Sequence, residues 1–157
     1  MLNTLNTFNH QNLSVNFVLN DEKAIIPTKA HEDDVGFDLT AIKIHKVLDN
    51  GVYLFDTGIS ITPPSGYYCE ILPRSSISKT GWMLANSVGI IDPNYTGNLL
   101  IALIKVSSVS PPLELPFTKC QLILRKVEKF EMNQTNSLKE TDRGDGGFGS
   151  TDKINSI

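Results

Sequence analysis

The chain has 157 residues, of which 40% are hydrophobic and 20% are charged. These values are typical of one globular domain with one core, and they exclude an intrinsically disordered chain. The net charge of −3 and the pI near 5.5 disfavour non-specific binding to nucleic acid or to an anionic membrane. The longest apolar run, Leu99–Ile104, is too short to span a bilayer.

The N-terminal residues and the cysteines indicate an intracellular protein. The first twelve residues have neither the basic region nor the apolar region of a signal peptide. Cys69 and Cys120 are too few for a disulfide framework, so we expect two free, partly buried thiols in a reducing compartment. The sequence therefore predicts a cytoplasmic or nuclear location and does not distinguish a cellular from a viral origin.

Hydrophobic residues recur at a period of two along most of the chain, which indicates β-strands. In chain order, strands are predicted within residues 13–19, 42–45, 51–61, 66–72, 98–106 and 119–130. The run at 98–106 is continuously apolar, so we predict that it is buried on both faces. Turn residues separate these strands at 49–51, 63–66 and 111–112. This pattern predicts an all-β sandwich, jelly roll or small barrel.

Only one short helix is predicted, Ser75–Gly81, whose first serines suit an N-cap. From Met132 onward apolar residues become sparse, as in a mobile arm. We therefore predict a β domain over residues 1–131 and a flexible C-terminal arm over residues 132–157.

Two segments in the first half of the chain carry candidate functional residues. In "VGFDLTA", Asp38 lies inside an apolar strand, where a carboxylate either binds a ligand or caps a turn at the strand end. In "LPRSSISKTG", Arg74 precedes Ser75 and Ser76 at the predicted helix start. Free N–H groups, hydroxyls and a guanidinium together can bind an anion. The simpler interpretation is a helix cap beside a surface arginine.

Two further segments lie in the second half. "NSVGIIDPNYTGN" places Asp92 and Tyr95 between apolar flanks, as in a hairpin whose tip faces a ligand or in an ordinary turn. "DRGDGGFGST" places Phe148 among four glycines, and so flexible a segment would order only around a bound ligand. The histidines lack metal-ligand spacing, and "HEDD" at 31–34 is interpreted as a solvated loop.

With "KCQLIL", these segments resemble, in order and in spacing, the five motifs of the trimeric dUTP diphosphatase (dUTPase) family. The resemblance covers Pro27–Thr151. It implies a jelly-roll-like β-fold and a homotrimer whose sites are shared between chains. It also implies Mg²⁺-dependent hydrolysis of dUTP to dUMP and pyrophosphate. That reaction keeps uracil out of DNA and supplies dUMP for thymidylate synthesis.

The resemblance implies a role for each matching residue. Asp92 matches the general base that deprotonates the water attacking the α-phosphorus. Tyr95 matches the aromatic residue under the deoxyribose, where it excludes a 2′-hydroxyl. The uracil edge would be recognised by Asn86 and by the backbone of Gly89, Ile90 and Ile91.

Phosphate binding and closure of the site are implied for a second group of residues. The phosphates would be bound by Arg74, Ser75, Ser76 and Gln121. Asp38 would act on Mg²⁺ through water, because this ion loses its hydration shell reluctantly. In the C-terminal lid, Phe148 would stack on uracil and Arg143 would bind the outer phosphates. Ser150 and Thr151 would hydrogen-bond the γ-phosphate, and Gly149 would bind the substrate by letting the backbone approach the nucleotide closely.

The chain departs from the common family pattern at four places. Phe37 replaces a tyrosine, Ser76 replaces a frequent glycine, and Asp152 replaces a final glycine. The approach to the fourth motif, "PFTKCQL", is atypical, which weakens the role implied for Gln121.

Two alternative functions are compatible with this fold. A dCTP deaminase shares the fold but needs a glutamate on the strand after the hairpin, and residues 98–106 contain none. A non-catalytic or regulatory binding protein of this fold would not need to keep Asp92, Tyr95, Arg143 and Phe148 together.

Overall fold

The computed structural model describes residues 13–148, and most of its regular structure is β-strand. No helix in this range is long and apolar enough to cross a membrane. A short 3₁₀ helix, Ser75–Lys79, is also present. The strands are β1 (Asn16–Leu19), β2 (Phe37–Ala41), β3 (Lys43–Val47), β4 (Tyr53–Asp56), β5 (Ile59–Thr62), β6 (Tyr67–Pro73), β7 (Trp82–Leu84), β8 (Gly89–Ile91), β9 (Leu100–Lys105) and β10 (Phe117–Lys126).

The strands form two four-stranded antiparallel sheets and one strand pair. The first sheet has the order β2-β10-β6-β8, the second has the order β3-β4-β9-β7, and β1 pairs with β5. This arrangement confirms the prediction of an all-β, jelly-roll-like fold with one short helix.

The core lies between the two four-stranded sheets. Phe55 of the second sheet meets Phe117 of the first edge to face, with 4.9 Å between ring centroids. Trp82 packs on Phe55 at 6.1 Å and donates its indole N–H to Pro111 O at 2.7 Å. Edge-to-face aromatic packing adds to the free energy gained from burying the rings. Buried residues alternate with more exposed ones along β5, β7, β8 and β9, as the period of two predicts.

Several sequence predictions need correction in detail. Residues 51–61 form two strands, because Gly58 turns the chain at φ +68° and each strand then joins a different sheet. In β9 only Ile101 and Leu103 are fully buried, so burial on both faces is wrong for the single chain. The outer face of an antiparallel sheet commonly lies at the surface. The four residues of β1 are all exposed, although half-burial was predicted.

The helix starts differently from the prediction. Arg74 occupies the N-cap position and makes no side-chain capping bond, whereas the serines were expected to cap. Instead, Ser78 Oγ donates to Ser75 O at 2.7 Å. The helix is anchored by Ile77, which is buried in the core.

Both thiols are free and fully buried, deeper than predicted. Burial raises the pKa of Cys69 to about 11 and that of Cys120 to about 12. Neither thiol is therefore a nucleophile at neutral pH.

Backbone contacts divide the chain into two units, Met1–Val127 and Glu128–Ile157. The described part of the second unit contains two consecutive turns. Gly144 N–H donates to Thr141 O, and Gly146 N–H donates to Arg143 O, both at 3.0 Å. The domain boundary predicted at Met132 stays a prediction.

Candidate active site

Three of the candidate residues meet on the first sheet. Asp38 lies on β2, Gln121 on β10, and Arg74 directly follows β6. Asp38 and Gln121 are register partners, and Arg74 N–H donates to Lys119 O at 2.8 Å. These residues are far apart in sequence, and the sheet brings them together. We call Asp38, Arg74 and Gln121 the Arg74 cluster.

Side-chain bonds hold the Arg74 cluster in place. Arg74 Nη1 lies 3.0 Å from Asp38 Oδ2, and it donates a longer hydrogen bond to Thr118 O at 3.4 Å. Gln121 Nε2 donates to Pro73 O at 3.1 Å. Both members of the ion pair remain partly exposed, with 35% and 26% of their side chains accessible. The guanidinium is therefore held in one position and can still be reached by a ligand.

Gly36 makes room for the Gln121 side chain. A Cβ built at Gly36 would clash with Gln121 Oε1 and lie 3.0 Å from its Cδ. Any larger residue at position 36 would push Gln121 away from Pro73 O.

Ser75 and Ser76 lie beside the Arg74 cluster, at the start of the 3₁₀ helix. Ser75 is exposed and Ser76 is half-buried. Their hydroxyls add neutral donors next to the guanidinium, so this end of the sheet suits a multiply charged anion.

The segment at 86–98 connects the two sheets. β7 pairs with β9 in the second sheet, whereas β8 pairs with β6 in the first. The chain thus leaves one sheet, adds a strand to the other and returns. Of the two interpretations of this segment, the structure has the ordinary turn at residues 92–95, and β8 pairs with β6 rather than with its own return segment.

Asn86 and β8 lie close together at the start of this segment. Ser87 has φ +59°, which turns the backbone sharply between Asn86 and Val88. A Cβ at Gly89 would lie 3.1 Å from Ile71 Cβ and 3.5 Å from Asn86 Nδ2. The glycine therefore lets β8 approach β6 closely while Asn86 packs beside it. Asn86 and Ile90 are exposed, whereas Gly89 and Ile91 are buried.

Asp92 and Tyr95 lie in the turn that follows β8. Tyr95 N–H donates to Asp92 O at 3.0 Å, so the backbone of Asp92 closes the turn and leaves its carboxylate exposed. The phenol of Tyr95 donates to Asn98 O at 2.9 Å. A Cβ at Gly97 would lie 2.5 Å from Tyr95 Oη and 2.7 Å from Cζ, so the ring folds over this glycine.

Asp92 and the Arg74 cluster lie towards opposite ends of β6. Ile91 is the register partner of Cys69, so Asp92 continues to the level of Tyr68. Arg74 follows Pro73 at the other end. Six residues separate these levels, which corresponds to about 20 Å of strand. Within one chain, Asp92 and Arg74 are therefore not neighbours.

The described part of the C-terminal segment places Arg143 and Phe148 within a turn-rich stretch. Arg143 Nε donates to Gly146 O at 3.1 Å. Phe148 is fully exposed and has φ +49°, in the left-handed region. Gly149, Ser150 and Thr151 lie outside the described residues, as does Asp152.

Comparison with known proteins agrees with this arrangement. The sequence model of one family, described as dUTPase, matches residues 22–152, which is most of the chain. The chain belongs to the dUTPase family. Among proteins named deoxyuridine 5′-triphosphate nucleotidohydrolase, it is 43% identical to that of Finegoldia magna, over 62% of this chain and 69% of the relative. It is 36% identical to that of Arabidopsis thaliana, over 83% and 78% of the two chains.

Solved structures of dUTPases share the fold at lower identity. Staphylococcus bacteriophage 80alpha dUTPase with dUPNHPP superposes with a TM-score of 0.67 at 20% identity, covering 87% of this chain and 97% of that one. A phage phi11 dUTPase mutant, solved with a structural Mg(II) ion, gives a TM-score of 0.62 at 18% identity. It covers 79% of this chain and 97% of that one.

The dUTPase resemblance raises the question whether these residues fit Mg²⁺. Among residues 13–148 no group of three His, Cys, Asp or Glu side chains could hold a metal ion alone. Mg²⁺, however, is usually bound by one or two carboxylates together with substrate phosphates and waters. Asp38 supplies one carboxylate, and its ion pair with Arg74 leaves further lone pairs free. The donor set fits a metal that arrives with the phosphates.

Sequence reasoning missed four residues that shape this dUTPase site. Gly36 and Gly97 allow close approach, while Asp56 and Asn98 anchor the end of the Tyr95 turn. Both glycines lie within the quoted motifs, where a glycine can indicate a position that requires close approach of another group. Asp56 lies within a predicted strand and carried no such signal.

Proposed function

We propose that this dUTPase hydrolyses dUTP to dUMP and pyrophosphate. The observation that carries the proposal is the convergence of Asp38, Arg74 and Gln121, from three separate family motifs, on one partly exposed cluster whose guanidinium can bind a phosphate and whose carboxylate can face a metal ion. That cluster suits a nucleoside triphosphate better than a neutral ligand. The family match over residues 22–152 supports the same activity.

Asp92 acts as the general base in this proposal. Its carboxylate is exposed, and it has no role in closing its own turn, so it is available to a water molecule. The carboxylate accepts a proton as the water oxygen attacks the α-phosphorus. The bond from the α-phosphorus to the bridging oxygen then breaks, and the electron pair leaves with pyrophosphate.

The Arg74 cluster binds and orients the phosphates. Arg74 donates charge-assisted hydrogen bonds, and the hydroxyls of Ser75 and Ser76 add further donors. Gln121, fixed on Pro73 O, lies beside them. Mg²⁺ bound near Asp38 would neutralise negative charge that develops on the leaving pyrophosphate.

Base and sugar selection is assigned to the segment at 86–98. Asn86 and the backbone of Gly89, Ile90 and Ile91 hydrogen-bond the uracil edge, and close packing excludes a 5-methyl group. The ring of Tyr95, folded over Gly97, lies under the deoxyribose and excludes a 2′-hydroxyl. Arg143 and Phe148 close over the outer phosphates and uracil, followed by Gly149, Ser150 and Thr151.

We further propose a homotrimer in which neighbouring chains complete each site. The separation of about 20 Å along β6 between the levels of Asp92 and Arg74 supports this arrangement. A second copy can bring its Asp92 to the Arg74 cluster of the first. The predicted roles in uracil exclusion from DNA and in dUMP supply follow from the activity, and the intracellular location stays a prediction.

Turnover of four nucleotides tests the function. We expect dUTP to be hydrolysed efficiently and dTTP, dCTP and UTP each at least ~10³-fold more slowly, since steric rejection and unpaired polar groups reach that ratio. EDTA should abolish turnover. Comparable hydrolysis of dTTP would contradict the assignment of Asn86 and residues 89–91 to uracil recognition. Tight dUTP binding without turnover would instead favour a regulatory protein.

A further inference from the structure

The turn that carries Tyr95 ends in a polar network around Asn98. Asn98 Nδ2 donates to both carboxylate oxygens of Asp56, at 3.0 and 3.2 Å. Asn98 Oδ1 accepts a hydrogen bond from Asn20 Nδ2 at 2.8 Å. The amide of Asn98 is thus engaged at both ends, which fixes its orientation.

Asp56 is a rigid partner for this amide. It is only 4% exposed, and its Oδ1 also accepts the N–H of Gly58 at 2.7 Å. Lys43 Nζ lies 3.8 Å from Asp56 Oδ2 and 2.6 Å from Asp21 Oδ2. The hydrogen bond to Asp21 raises the pKa of Lys43, which keeps the ammonium charged beside Asp56. A buried carboxylate with all these partners has little freedom to move.

The backbone after Asn98 is held without its side chain. Leu99 N–H donates to Ile59 O at 2.7 Å, and Leu99 O accepts from the backbone N–H and the hydroxyl of Thr57 at 3.2 and 3.0 Å. β9 is therefore anchored independently. What the Asn98 amide adds is a fixed end for the preceding turn.

Tyr95 depends on that fixed end. Its phenol donates to Asn98 O at 2.9 Å, and its ring lies against Gly97. The ring is 42% exposed, so core packing alone does not set its angle. Asn98 O shares a planar peptide unit with Leu99 N–H, so the bond to Ile59 O holds the acceptor itself. The Asn98 side chain instead fixes the angle at which the turn reaches Asn98 Cα, and a change in that angle would carry the Tyr95 ring away from the acceptor.

We propose that Asp56 and Asn98 are positioning residues that hold the Tyr95 ring at the angle that excludes a ribonucleotide. This inference rests on the proposed function, because it assigns to Tyr95 the rejection of the 2′-hydroxyl. Asn98 acts through its side-chain amide, which fixes the angle at which the Tyr95 turn reaches Asn98 Cα, and Asp56 acts by holding that amide.

Two variants and one control test the inference by kinetics. Asn98→Ala removes the amide, and Tyr95→Phe removes only the phenol bond. We expect each to lower the ratio of kcat/KM for dUTP over UTP about tenfold, as for loss of one positioning contact. Asn50→Ala is the matched control, because Asn50 Oδ1 accepts only a turn bond from Val52 N–H at 3.2 Å. It should leave the ratio within about twofold.

The double variant separates a positioning role from a structural one. If Asn98 acts through the phenol, Asn98→Ala should change the ratio little in a Tyr95→Phe background. An unchanged ratio in folded Asn98→Ala overturns the inference, and so does full additivity. Should Asn98→Ala fail to fold, an unchanged ratio in Tyr95→Phe alone overturns it.

A second readout does not need turnover. The chain has four tyrosines, and in protein labelled with 3-fluorotyrosine the ¹⁹F signal of Tyr95 is identified by its loss in Tyr95→Phe. Asn98→Ala should shift or broaden that signal, and Asn50→Ala should not. An unmoved signal overturns the positioning role. Wild-type protein that leaves dUTP intact refutes the proposed function, and the ¹⁹F signal still decides whether Asn98 fixes the ring.

Discussion

The guanidinium of Arg74, at the end of β6, reaches across β10 to the carboxylate of Asp38 on β2, with 3.0 Å between Nη1 and Oδ2. It passes Thr118 O on the intervening strand at 3.4 Å. The ion pair therefore orients Arg74 before any phosphate arrives. Such preorganisation lowers the entropy lost when the triphosphate binds.

Replacement of Arg74 should weaken phosphate binding. We expect Arg74→Ala to raise the KM for dUTP by about 10- to 100-fold, the range for a lost hydrogen bond to a charged group. Arg125→Ala is the matched control, since Arg125 Nε pairs with Glu70 Oε2 at 3.0 Å on the same sheet outside the cluster. Steady-state kinetics of both variants measure the two KM values for dUTP. A similar KM in the two would contradict the phosphate role.

How far the sequence determines this site differs between residues. The period of two and the turn residues were enough for most of the strands, though not for β7. The motifs singled out Asp38, Arg74 and Gln121, but only the structure shows that they meet on the first sheet. The pairing of β8 with β6 was not predictable, because a short apolar strand carries no signal for which sheet it joins. The buried Asp56 was missed for a related reason. Two partners of its carboxylate, Lys43 and Asn98, are distant in sequence, and local patterns do not encode such contacts.

Replacement of Asp92 should impair chemistry more than binding. Asp92→Asn keeps the backbone bond from Tyr95 N–H, so the turn should persist. We expect kcat to fall by ~10² or more, as for loss of a general base, while the Kd of a non-hydrolysable dUTP analogue stays similar. Asp49→Asn, in the turn between β3 and β4, provides the control. A kcat within about threefold of wild type would rule out Asp92 as the base.

A methyl group at Gly97 should displace the Tyr95 ring. The added Cβ would lie 2.5 Å from Tyr95 Oη, too close for the ring to keep its place. Gly97→Ala should therefore raise UTP turnover relative to dUTP, in the same direction as Tyr95→Ala. Gly51→Ala is a useful comparison, because Gly51 has φ +82° and no neighbour within 4 Å. That variant should lower Tm without changing the nucleotide ratio, and a changed ratio there would point to general destabilisation.

The arm should be dispensable for folding and required for catalysis. Residues up to Val127 form one unit of backbone contacts, so truncation after Glu140 should leave the β domain folded, as measured by circular dichroism and Tm. It removes Arg143 and Phe148, and we expect kcat/KM for dUTP to fall at least tenfold, as for lost charged and aromatic contacts.

From Met132 to Phe148 the chain can span up to ~50 Å, so the arm is long enough to reach a neighbouring chain. Co-expression of this truncation with Asp92→Asn should then restore about a quarter of the sites.

The separation along β6 predicts complementation between two point variants that each have a low kcat/KM. Arg74→Ala keeps an intact Asp92, and Asp92→Asn keeps an intact Arg74 cluster. If each site combines the Arg74 cluster of one chain with Asp92 of another, random co-assembly in a cyclic trimer gives about a quarter of sites with both groups intact. At dUTP concentrations below the wild-type KM, where both single variants turn over slowly, co-expressed and co-purified mixtures should therefore recover about a quarter of the wild-type kcat/KM. If both groups of a site came from one chain, no mixed trimer would contain a complete site. Mixed trimers, verified by two affinity tags, that remain at the background of the single variants would refute the shared site and leave the dUTP chemistry of the family untouched.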